Sequence, residues 1–349
     1  MNEKEKYSEY LRKRFPAKQD FVDRIERLIG KDDAKKFFDI CYTKCPSSIR
    51  CNTIKMDPEE LIKRLRDYGW KVRRPMKGYP EIMIVDGLKP GELGKTKEHL
   101  LGYYYVQEIS SMLPMLALKP EAGNYVLDLC ASPGSKTTQA AAMMENRGFI
   151  MANEISMGRI GILNSNLERC GVMNSIVTRK EGFALCERLK KKSNLRFDKI
   201  LVDAPCSGEG TLRKSPKTFQ MWNINMIRKI AKTQRKLAVA AFGLLKVGGV
   251  MIYSTCTLAP EENEMIVNYL LENFDCEVEG LSLPLKFREG VCEWEGSVAR
   301  SRDDGQQTVD GRKKIIMNPQ VKRCLRLYPQ DNDSDGFFVA RIRKLGEEK

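Results

Sequence analysis

Two cysteines follow two strand-like stretches of this sequence. Residues 199–202 are mostly apolar and predict a buried strand, after which the chain turns and presents Asp203 and Cys206. Residues 250–253 form a second such strand and lead to Cys256. A single cysteine is more often a small buried hydrophobe than a nucleophile. Two thiols at the ends of neighbouring strands, in the place where open α/β sheets keep their sites, instead favour nucleophilic chemistry.

A candidate cofactor turn follows an earlier strand, at residues 128–138, and opens a helix. Gly134 would allow a ligand to approach the backbone, and the helix N-terminus favours a carboxylate or phosphate. A Walker P-loop does not fit, because Ser135 separates Gly134 from Lys136 and Cys130 stands where the first glycine belongs.

Acidic residues end the next two predicted strands. Glu154 has the position of a ribose-binding acid, and Glu181 lies within reach of an adenine edge. The sequence has no G-x-G-x-x-G fingerprint, which disfavours a nicotinamide dinucleotide. A nucleoside cofactor without a pyrophosphate fits better, and S-adenosylmethionine is the obvious choice.

Thiols beside a methyl donor suggest one reaction in particular. Carbon 5 of cytosine is a poor nucleophile, but addition of a thiolate at carbon 6 gives an enamine whose carbon 5 can attack a methylsulfonium. A base must then remove the carbon 5 proton, and the thiolate must leave. Asp203 is placed to stabilise the adduct at the amidine face of the ring.

The elements that position these residues alternate in type. Strand-like runs separated by helical segments predict an α/β protein with a doubly wound, Rossmann-like parallel sheet. The predicted strands cover residues 125–129, 149–153, 175–178, 197–203 and 250–253. A further strand is predicted at 336–342, and the polar stretch 290–314 is predicted to be an exposed loop.

The first part of the chain predicts a different unit. Residues 1–40 read as N-terminal helices, 41–118 as a small α+β RNA-binding-like module with a linker, and 119–349 as the cofactor-binding domain. Within the module, Asp57 and Pro58 signal a helix start between strands predicted at 47–54, 70–72 and 81–85, and the glycine-rich stretch 90–97 is predicted to link the two units. A helix is predicted at 106–118, with Pro114 as a kink.

Charge and cysteine content indicate partners and compartment. Lys and Arg exceed Asp and Glu by 14, and residues 1–80 contribute 8 of that excess, which favours RNA as partner. Eleven cysteines in an odd, scattered set favour a reducing, cytoplasmic location and no metal site. No apolar run reaches membrane-spanning length, so we expect no membrane partner, and a monomer is the default expectation.

The motifs resemble the Sun-type (NSUN-type) RNA cytosine-5 methyltransferases from about Ser48 to Arg343. The matching segments are 50–55, 105–112, 128–138, 152–154, 203–210, 253–258 and 260–264, with 325–338 similar to archaeal-type members. The resemblance implies a class I methyltransferase fold and S-adenosylmethionine as cofactor.

The resemblance also implies roles for individual residues. Cys256 would be the nucleophile, Cys206 would assist release of the methylated base, and Asp203 would bind and activate the cytosine. Lys136 would lie near the methionine end of the cofactor or the base. The implied cofactor contacts are Cys130, Ala131, Ser132, Pro133, Gly134, Ser135, Lys136, Glu154, Arg159, Glu181 and Asp203. Relatives often carry Asp at positions 154 and 181, where this chain has the longer Glu.

Two other functions remain open at this stage. A DNA cytosine-5 methyltransferase would attack with Cys206, although it has no reason to keep the thiol of Cys256. A catalytically silent RNA-binding assembly factor would use the same fold as a scaffold. Among RNA substrates, we expect tRNA ahead of rRNA, because the C-terminal half resembles archaeal tRNA-modifying relatives.

Overall fold

The computed structural model describes residues 3–296 and 313–348. Three helices open the chain: α1 (Glu3–Arg14), α2 (Gln19–Ile29) and α3 (Lys31–Cys41). Their apolar faces pack on a distant part of the chain, with the ring centroids of Phe21 and Trp222 5.3 Å apart. The helices therefore join their core to the larger unit, which the sequence did not predict.

A four-stranded antiparallel sheet with the order β2-β3-β1-β4 follows. Its elements are β1 (Ser48–Cys51), α4 (Pro58–Asp67), β2 (Lys71–Arg73), β3 (Ile82–Asp86), α5 (Lys97–Leu100) and β4 (Tyr104–Val106). The predicted helix start is confirmed, since the Asp57 carboxylate accepts hydrogen bonds from two backbone N–H groups of the first turn. The linker predicted at 90–97 is wrong, because β4 follows it and pairs with β1. That stretch lies within the small sheet's own unit and buries Leu93.

The larger unit is built on a mixed sheet with the order β11-β14-β15-β9-β8-β5-β6-β7, in which β10 also pairs with β15. The strands that run parallel are β5 (Tyr125–Asp128), β6 (Phe149–Asn153), β7 (Ser175–Thr178), β8 (Phe197–Asp203) and β9 (Leu245–Thr255). The antiparallel side holds β10 (Phe274–Glu279), β11 (Arg288–Glu289), β14 (Leu325–Leu327) and β15 (Phe337–Glu348). The predicted α/β sheet with a small N-terminal α+β unit is confirmed, and β15 runs beyond the predicted residue 342.

Helices cover both faces of this sheet. They are α6 (Ile109–Leu118), α7 (Ser135–Met143), α8 (Met157–Cys170), α9 (Gly182–Lys192), α10 (Thr218–Met221), α11 (Ile224–Phe242), α12 (Glu264–Asn273) and α13 (Pro329–Asn332). Leu185, Leu237 and Ile266 of α9, α11 and α12 share one core, whereas Met112 and Ala140 of α6 and α7 belong to the other. This packing holds the carboxyl ends of the parallel strands in fixed register. Pro114 lies inside α6.

The loop predicted over 290–314 is wrong at both ends. Strands β12 (Glu293–Gly296) and β13 (Lys313–Ile316) pair there in antiparallel fashion. The buried Trp294 donates its indole N–H to Glu261 at 3.0 Å, which anchors the first strand to the larger unit. Residues 297–312 lie outside the described part of the chain.

Candidate active site

A cavity of about 360 Å³ opens at the carboxyl ends of β5, β6, β8 and β9. This is the end at which open parallel sheets bind ligands. Several of the residues singled out from the sequence line it: Cys130, Ser132, Glu154, Arg159, Glu181, Asp203, Cys206 and Cys256. Residues far apart in the sequence therefore meet in one chamber.

The two thiols face each other. The Sγ atoms of Cys206 and Cys256 lie 3.0 Å apart, within hydrogen-bonding distance of each other. They meet because β8 and β9 are parallel neighbours in register, with Asp203 paired to Ser254. Each strand then delivers its cysteine to the same point, and both side chains are half-buried.

The contact between the thiols affects the protonation of Cys206. The hydrogen bond with Cys256, together with burial, raises the pKa of Cys206 well above that of an ordinary thiol. Cys206 therefore holds its proton at neutral pH and is suited to donate that S–H to the Cys256 sulfur.

Asp203 lies beside the thiols in a defined hydrogen-bond network. The Lys136 ammonium lies 2.8 Å from Oδ2, and the Ser254 hydroxyl donates to Oδ1 at 2.8 Å. Lys136 also donates to the Ser111 hydroxyl at 2.9 Å. Both carboxylate oxygens thus have a donor, and Asp203 is held in one orientation. Ser111 was not predicted as a site residue, although it falls in one of the segments that carried the resemblance.

The turn between β5 and α7 holds the rest of the predicted cofactor loop. Gly134 has a φ of +100°, and a Cβ there would lie 3.0 Å from a Leu163 methyl group. Arg159 clamps the turn, because it donates to the Ser132 carbonyl at 2.7 Å and its own carbonyl accepts from the Ser132 hydroxyl at 3.0 Å. Four predicted contacts shape this turn and are not among the residues lining the cavity: Ala131, Pro133, Gly134 and Ser135. Lys136 reaches the site through Asp203.

The two acidic strand ends differ in environment. Glu154 is 3% exposed; it accepts from the Ser156 N–H at 2.9 Å and lies 3.2 Å from the Arg159 guanidinium. Glu181 is exposed and caps helix α9, with one oxygen accepting from Phe183 N–H and the other from Ala184 N–H. Both still line the cavity, and each oxygen keeps a lone pair for a ligand.

The cavity suits a nucleoside with a cationic tail. The carboxylates of Glu154, Glu181 and Asp203 line it and can accept from ribose hydroxyls or an ammonium group, while Arg159 and Lys180, which also line it, balance part of their charge. Leu129 and Ile155 supply apolar surface for a base. Close by, Asp128 Oδ1 is buried and has no hydrogen-bond partner among the described residues, and burial raises the pKa of Asp128 to about 6. These residues fit S-adenosylmethionine.

A buried polar cluster supports the cysteine loops from behind. Glu262 accepts from the Ser207 N–H at 3.0 Å and from the Gln234 amide at 2.8 Å, while the hydroxyls of Ser207 and Thr257 lie 2.7 Å apart. Burial raises the pKa of Glu262 to about 7. The cluster ties the residue after Cys206 to the residue after Cys256. From the sequence, Glu262 stood out only as part of the 260–264 match.

Arg50 connects the small sheet to the cofactor loop. Its buried guanidinium donates to Gln107 Oε1 at 2.9 Å, to the Ser135 carbonyl at 2.7 Å and to the Thr138 hydroxyl at 2.9 Å. Burial lowers the pKa of Arg50 to about 10, so it remains cationic at neutral pH. Sequence reasoning missed this role, because Arg50 reads only as a polar residue in a strand.

The described residues also bear on metal binding and membrane insertion. Within residues 3–296 and 313–348, no three His, Cys, Asp or Glu side chains form a group that could hold a metal ion. None of the helices in these ranges combines the length and apolar character that a membrane span needs.

Two families of known proteins match the chain. Residues 115–343 match the family described as 16S rRNA methyltransferase RsmB/F, and residues 17–109 match the N-terminal domain of 16S rRNA methyltransferase RsmF. Together the two matches take in the small sheet and the cavity.

Relatives with two different named RNA substrates match the chain. Ribosomal RNA small subunit methyltransferase F of Vibrio atlanticus is 38% identical over 94% of this chain, and the match covers 64% of the relative. The chain thus spans less than two thirds of the length of that enzyme. The tRNA (cytosine(49)-C(5))-methyltransferase of Pyrococcus abyssi is also 38% identical, over 92% of this chain and 95% of its own length.

Solved structures agree on the fold. A methyltransferase homolog from Pyrococcus horikoshii superposes with a TM-score of 0.78 at 32% identity and covers 96% of this chain and 98% of its own. NSun6 from the same organism, at 23% identity, gives a TM-score of 0.75 and supports the fold alone, with 95% and 99% covered. The predicted class I methyltransferase fold is therefore confirmed.

Proposed function

The chain belongs to the RsmB/F (Nop2/Sun) family of S-adenosylmethionine-dependent RNA cytosine-5 methyltransferases, with an RsmF-type N-terminal domain, and we propose that it methylates carbon 5 of a cytidine in structured RNA. The observation that carries this proposal is the 3.0 Å approach of two thiols beside Asp203 in the cavity. Neither a binding scaffold nor a single-thiol enzyme needs that arrangement.

Cys256 is the nucleophile in this proposal. Its sulfur lies next to the Cys206 S–H, and a hydrogen bond from that group stabilises a thiolate. The thiolate forms a bond to carbon 6 of the target base, which raises the electron density at carbon 5. Bound S-adenosylmethionine supplies an electrophilic methyl group.

Asp203 and Lys136 orient the base. The carboxylate is fixed by Lys136 and Ser254, so it can accept from the exocyclic amino group of cytosine without reorganising. Charge that develops in the ring during thiolate addition is then balanced by the adjacent ammonium.

Cys206 completes the cycle. Once Cys256 has bonded to the base, the S–H proton of Cys206 passes to solvent. Because the pKa of Cys206 is raised, the resulting thiolate is a strong base and is suited to take the carbon 5 proton. Loss of that proton breaks the bond to Cys256, whose sulfur leaves 3.0 Å away.

Methyl transfer with labelled cofactor and total RNA tests the assignment. Cys256→Ala should abolish transfer, and Cys206→Ala should accumulate a covalent RNA adduct. Cys292→Ala, which changes a half-buried thiol outside the cavity, is the matched control and should leave transfer unchanged. Retained turnover in Cys256→Ala would refute the role of that residue.

The same variants separate the alternatives. If Cys206→Ala loses transfer while Cys256→Ala traps the adduct, the roles are exchanged, as in a DNA cytosine-5 methyltransferase. Tight RNA binding with no covalent complex on 5-fluorocytidine RNA would favour a silent assembly factor.

For the RNA itself, tRNA remains the first candidate. Support comes from the Pyrococcus abyssi tRNA enzyme, 95% of which has a counterpart in this chain, and from the archaeal-type C-terminal segment. Ribosomal RNA is the second candidate, because the N-terminal domain is of RsmF type. Bisulfite mapping of cellular RNA with and without the protein distinguishes them.

The remaining proposals concern the location of the enzyme, its oligomeric state and the roles of its two units. We place the enzyme in the cytoplasm as a monomer, consistent with its eleven free thiols. The basic unit around residues 41–118 would grip the RNA, while 119–349 would carry out methyl transfer.

A further inference from the structure

A second cavity, of about 500 Å³, lies between the small sheet and the larger unit. Four separate segments form it: the loop before β1, the turn around Leu93, the end of β4 and the loop that follows Cys206. Its lining residues are Lys44, Cys45, Pro46, Ser47, Ser48, Leu93, Val106, Gln107, Glu108, Arg213 and Lys214. Only Gln107 also belongs to the site described above, where it accepts from Arg50.

This second cavity shares two chain segments with the reaction site. One segment runs from Glu108, in its wall, to Ser111, which holds Lys136. The other runs from Asp335, which lies 2.9 Å from the lining residue Lys214, to Phe337, whose ring lies under the Lys136 ammonium at 5.8 Å. The two chambers are therefore neighbours.

A second route links them through the nucleophile loop. The Gly336 N–H donates to the Gly210 carbonyl at 2.8 Å, and the Gly210 N–H donates to the Cys256 carbonyl at 2.9 Å. Two consecutive backbone hydrogen bonds thus connect Gly336, the residue after Asp335, to the main chain of Cys256.

The walls of the second cavity differ in character. One wall is apolar, formed by Pro46, Leu93 and Val106, and Val106 is 42% exposed although it is a large hydrophobe. The other wall carries the ammonium groups of Lys44 and Lys214, both on exposed residues. A nucleotide has the matching parts, since a base presents an apolar face and its phosphate carries negative charge.

The acidic side chains near this cavity already have hydrogen-bond partners within the protein. Asp335 accepts from Lys214 and from the Cys45 thiol, and Glu108 Oε1 accepts from the Asp335 N–H at 3.2 Å. Burial raises the pKa of Glu108, which weakens its negative charge. Arg213 is committed to the backbone, donating to the Lys44 carbonyl at 2.6 Å. The Lys44 ammonium lies at the rim, 5.0 Å from the centroid of the Tyr7 ring and without an acidic partner among the described residues, so it can meet an anion.

We propose that this second cavity holds the nucleotide adjacent to the target cytidine, with its base against Val106 and its phosphate near Lys44 and Lys214. The proposal rests on the proposed function. The affinity of the enzyme for RNA would then depend on whether a base is present beside the target cytidine. The hydrogen bonds through Gly210 would connect this second cavity to the loop that carries Cys256.

Binding of an RNA hairpin with one loop cytidine tests this proposal. The probe is compared with versions that lack the base on the 5′ or the 3′ side of the cytidine, by fluorescence anisotropy with S-adenosylhomocysteine present. For the wild-type protein, one abasic version should bind about fivefold more weakly, the lower end of what losing the packing of one base costs.

Variants then locate the effect. Val106→Asp should bind the intact hairpin more weakly and no longer distinguish it from the abasic version, while its affinity for S-adenosylhomocysteine stays unchanged and reports an intact fold. Lys44→Gln, at an exposed position, should weaken binding and lower the salt dependence by about one counterion. Lys192→Gln, on α9, is the charge-matched control and should retain the wild-type ratio.

Two results would overturn the proposal. One is a wild-type protein whose affinity changes less than about twofold with either abasic hairpin. The other is a Val106→Asp variant that keeps the full wild-type ratio together with a Lys44→Gln variant that keeps the wild-type affinity and salt dependence. Methyl transfer is measured separately on the same hairpins and on total RNA. If RNA is methylated but the affinities for the intact and abasic hairpins are equal, only the proposed role of the second cavity is refuted. An abasic effect without methylation of any RNA refutes the proposed function alone.

Discussion

The backbone N–H of Ser207 donates to the Glu262 carboxylate at 3.0 Å, so an acid that follows β9 holds the residue directly after Cys206. The Gln234 amide donates to the same oxygen at 2.8 Å. The position of one catalytic loop therefore depends on a side chain attached to the other. Because Glu262 is fully buried, its ionisation affects the stability of the whole arrangement.

Glu262→Gln should change how stability depends on pH. Burial raises the pKa of Glu262 from 4.5 to about 7, so between these values the folded state binds more protons than the unfolded state. The contribution of Glu262 to the free energy of unfolding then falls as pH rises from 4.5 to 7, by roughly 3 kcal/mol at most. Gln cannot ionise, so the variant should gain stability relative to wild type at pH 8 compared with pH 5.

Urea unfolding at the two pH values measures this difference. Glu272→Gln, at an exposed position on α12, is the matched control variant. Equal pH slopes in wild type and Glu262→Gln would show that the carboxyl group is not held in its neutral form.

The parallel part of the fold was readable from the sequence for a physical reason. Its strands are apolar runs that end at polar or turn-forming residues, and the Asp57 cap is likewise a local signal. The antiparallel pairing of β15 with β9 could not be predicted from the sequence, because it brings together residues such as Val339 and Ser254 that are far apart in the chain. No local pattern specifies such pairings.

The same distinction applies to the site. Asp203, Cys206 and Cys256 were identified because each stands at the end of a predicted strand. Arg50 and Glu262 fell within segments that carried the resemblance, but they act through partners 85 and 55 residues away in sequence, at Ser135 and Ser207, so their neighbours in the chain did not indicate these contacts.

Arg50→Lys should weaken cofactor binding. Lysine cannot reproduce the planar fork that reaches the Ser135 carbonyl and the Thr138 hydroxyl together, so the start of α7 would lose a fixed anchor. The Kd for S-adenosylmethionine, measured by calorimetry, should rise about tenfold, which corresponds to one lost charge-assisted hydrogen bond. Arg73→Lys, in an exposed pair with Asp86, is the control and should leave the Kd unchanged. An unaltered Kd in Arg50→Lys, even with a lower melting temperature, would restrict Arg50 to a structural role.

Lys136→Met should suppress adduct formation while leaving cofactor affinity within a few-fold of wild type. The substitution removes the ammonium that lies 2.8 Å from Asp203 and leaves the carboxylate without its positive partner. Because this group orients and balances charge during thiolate addition, we expect the rate of covalent trapping on 5-fluorocytidine RNA to fall about 100-fold.

The control for Lys136 is a lysine whose aspartate partner lies at the opposite end of β8 from Asp203. Lys246 pairs with Asp198 at 2.6 Å, at the start of β8. Lys246→Met breaks a lysine–aspartate pair of the same type far from the cavity, and trapping should proceed at the wild-type rate. Equal rates in the two variants would remove Lys136 from the reaction.

Gly210→Ala should disturb the nucleophile directly. A Cβ at this position would lie 2.2 Å from the Gly336 carbonyl oxygen and 2.9 Å from that of Cys256, so the backbone that carries Cys256 must move. We expect the free energy of unfolding to fall by roughly 1–3 kcal/mol, the usual cost of overpacking. We also expect kcat to fall by more than the reduced folded fraction explains, because the 3.0 Å spacing of the two sulfurs depends on that backbone. Gly158→Ala, where a Cβ meets nothing within 4 Å, is the matched control and should alter neither quantity by much. Urea unfolding and single-turnover methyl transfer measure the two effects, and a stable Gly210→Ala with wild-type kcat would show that the Cys256 loop tolerates displacement.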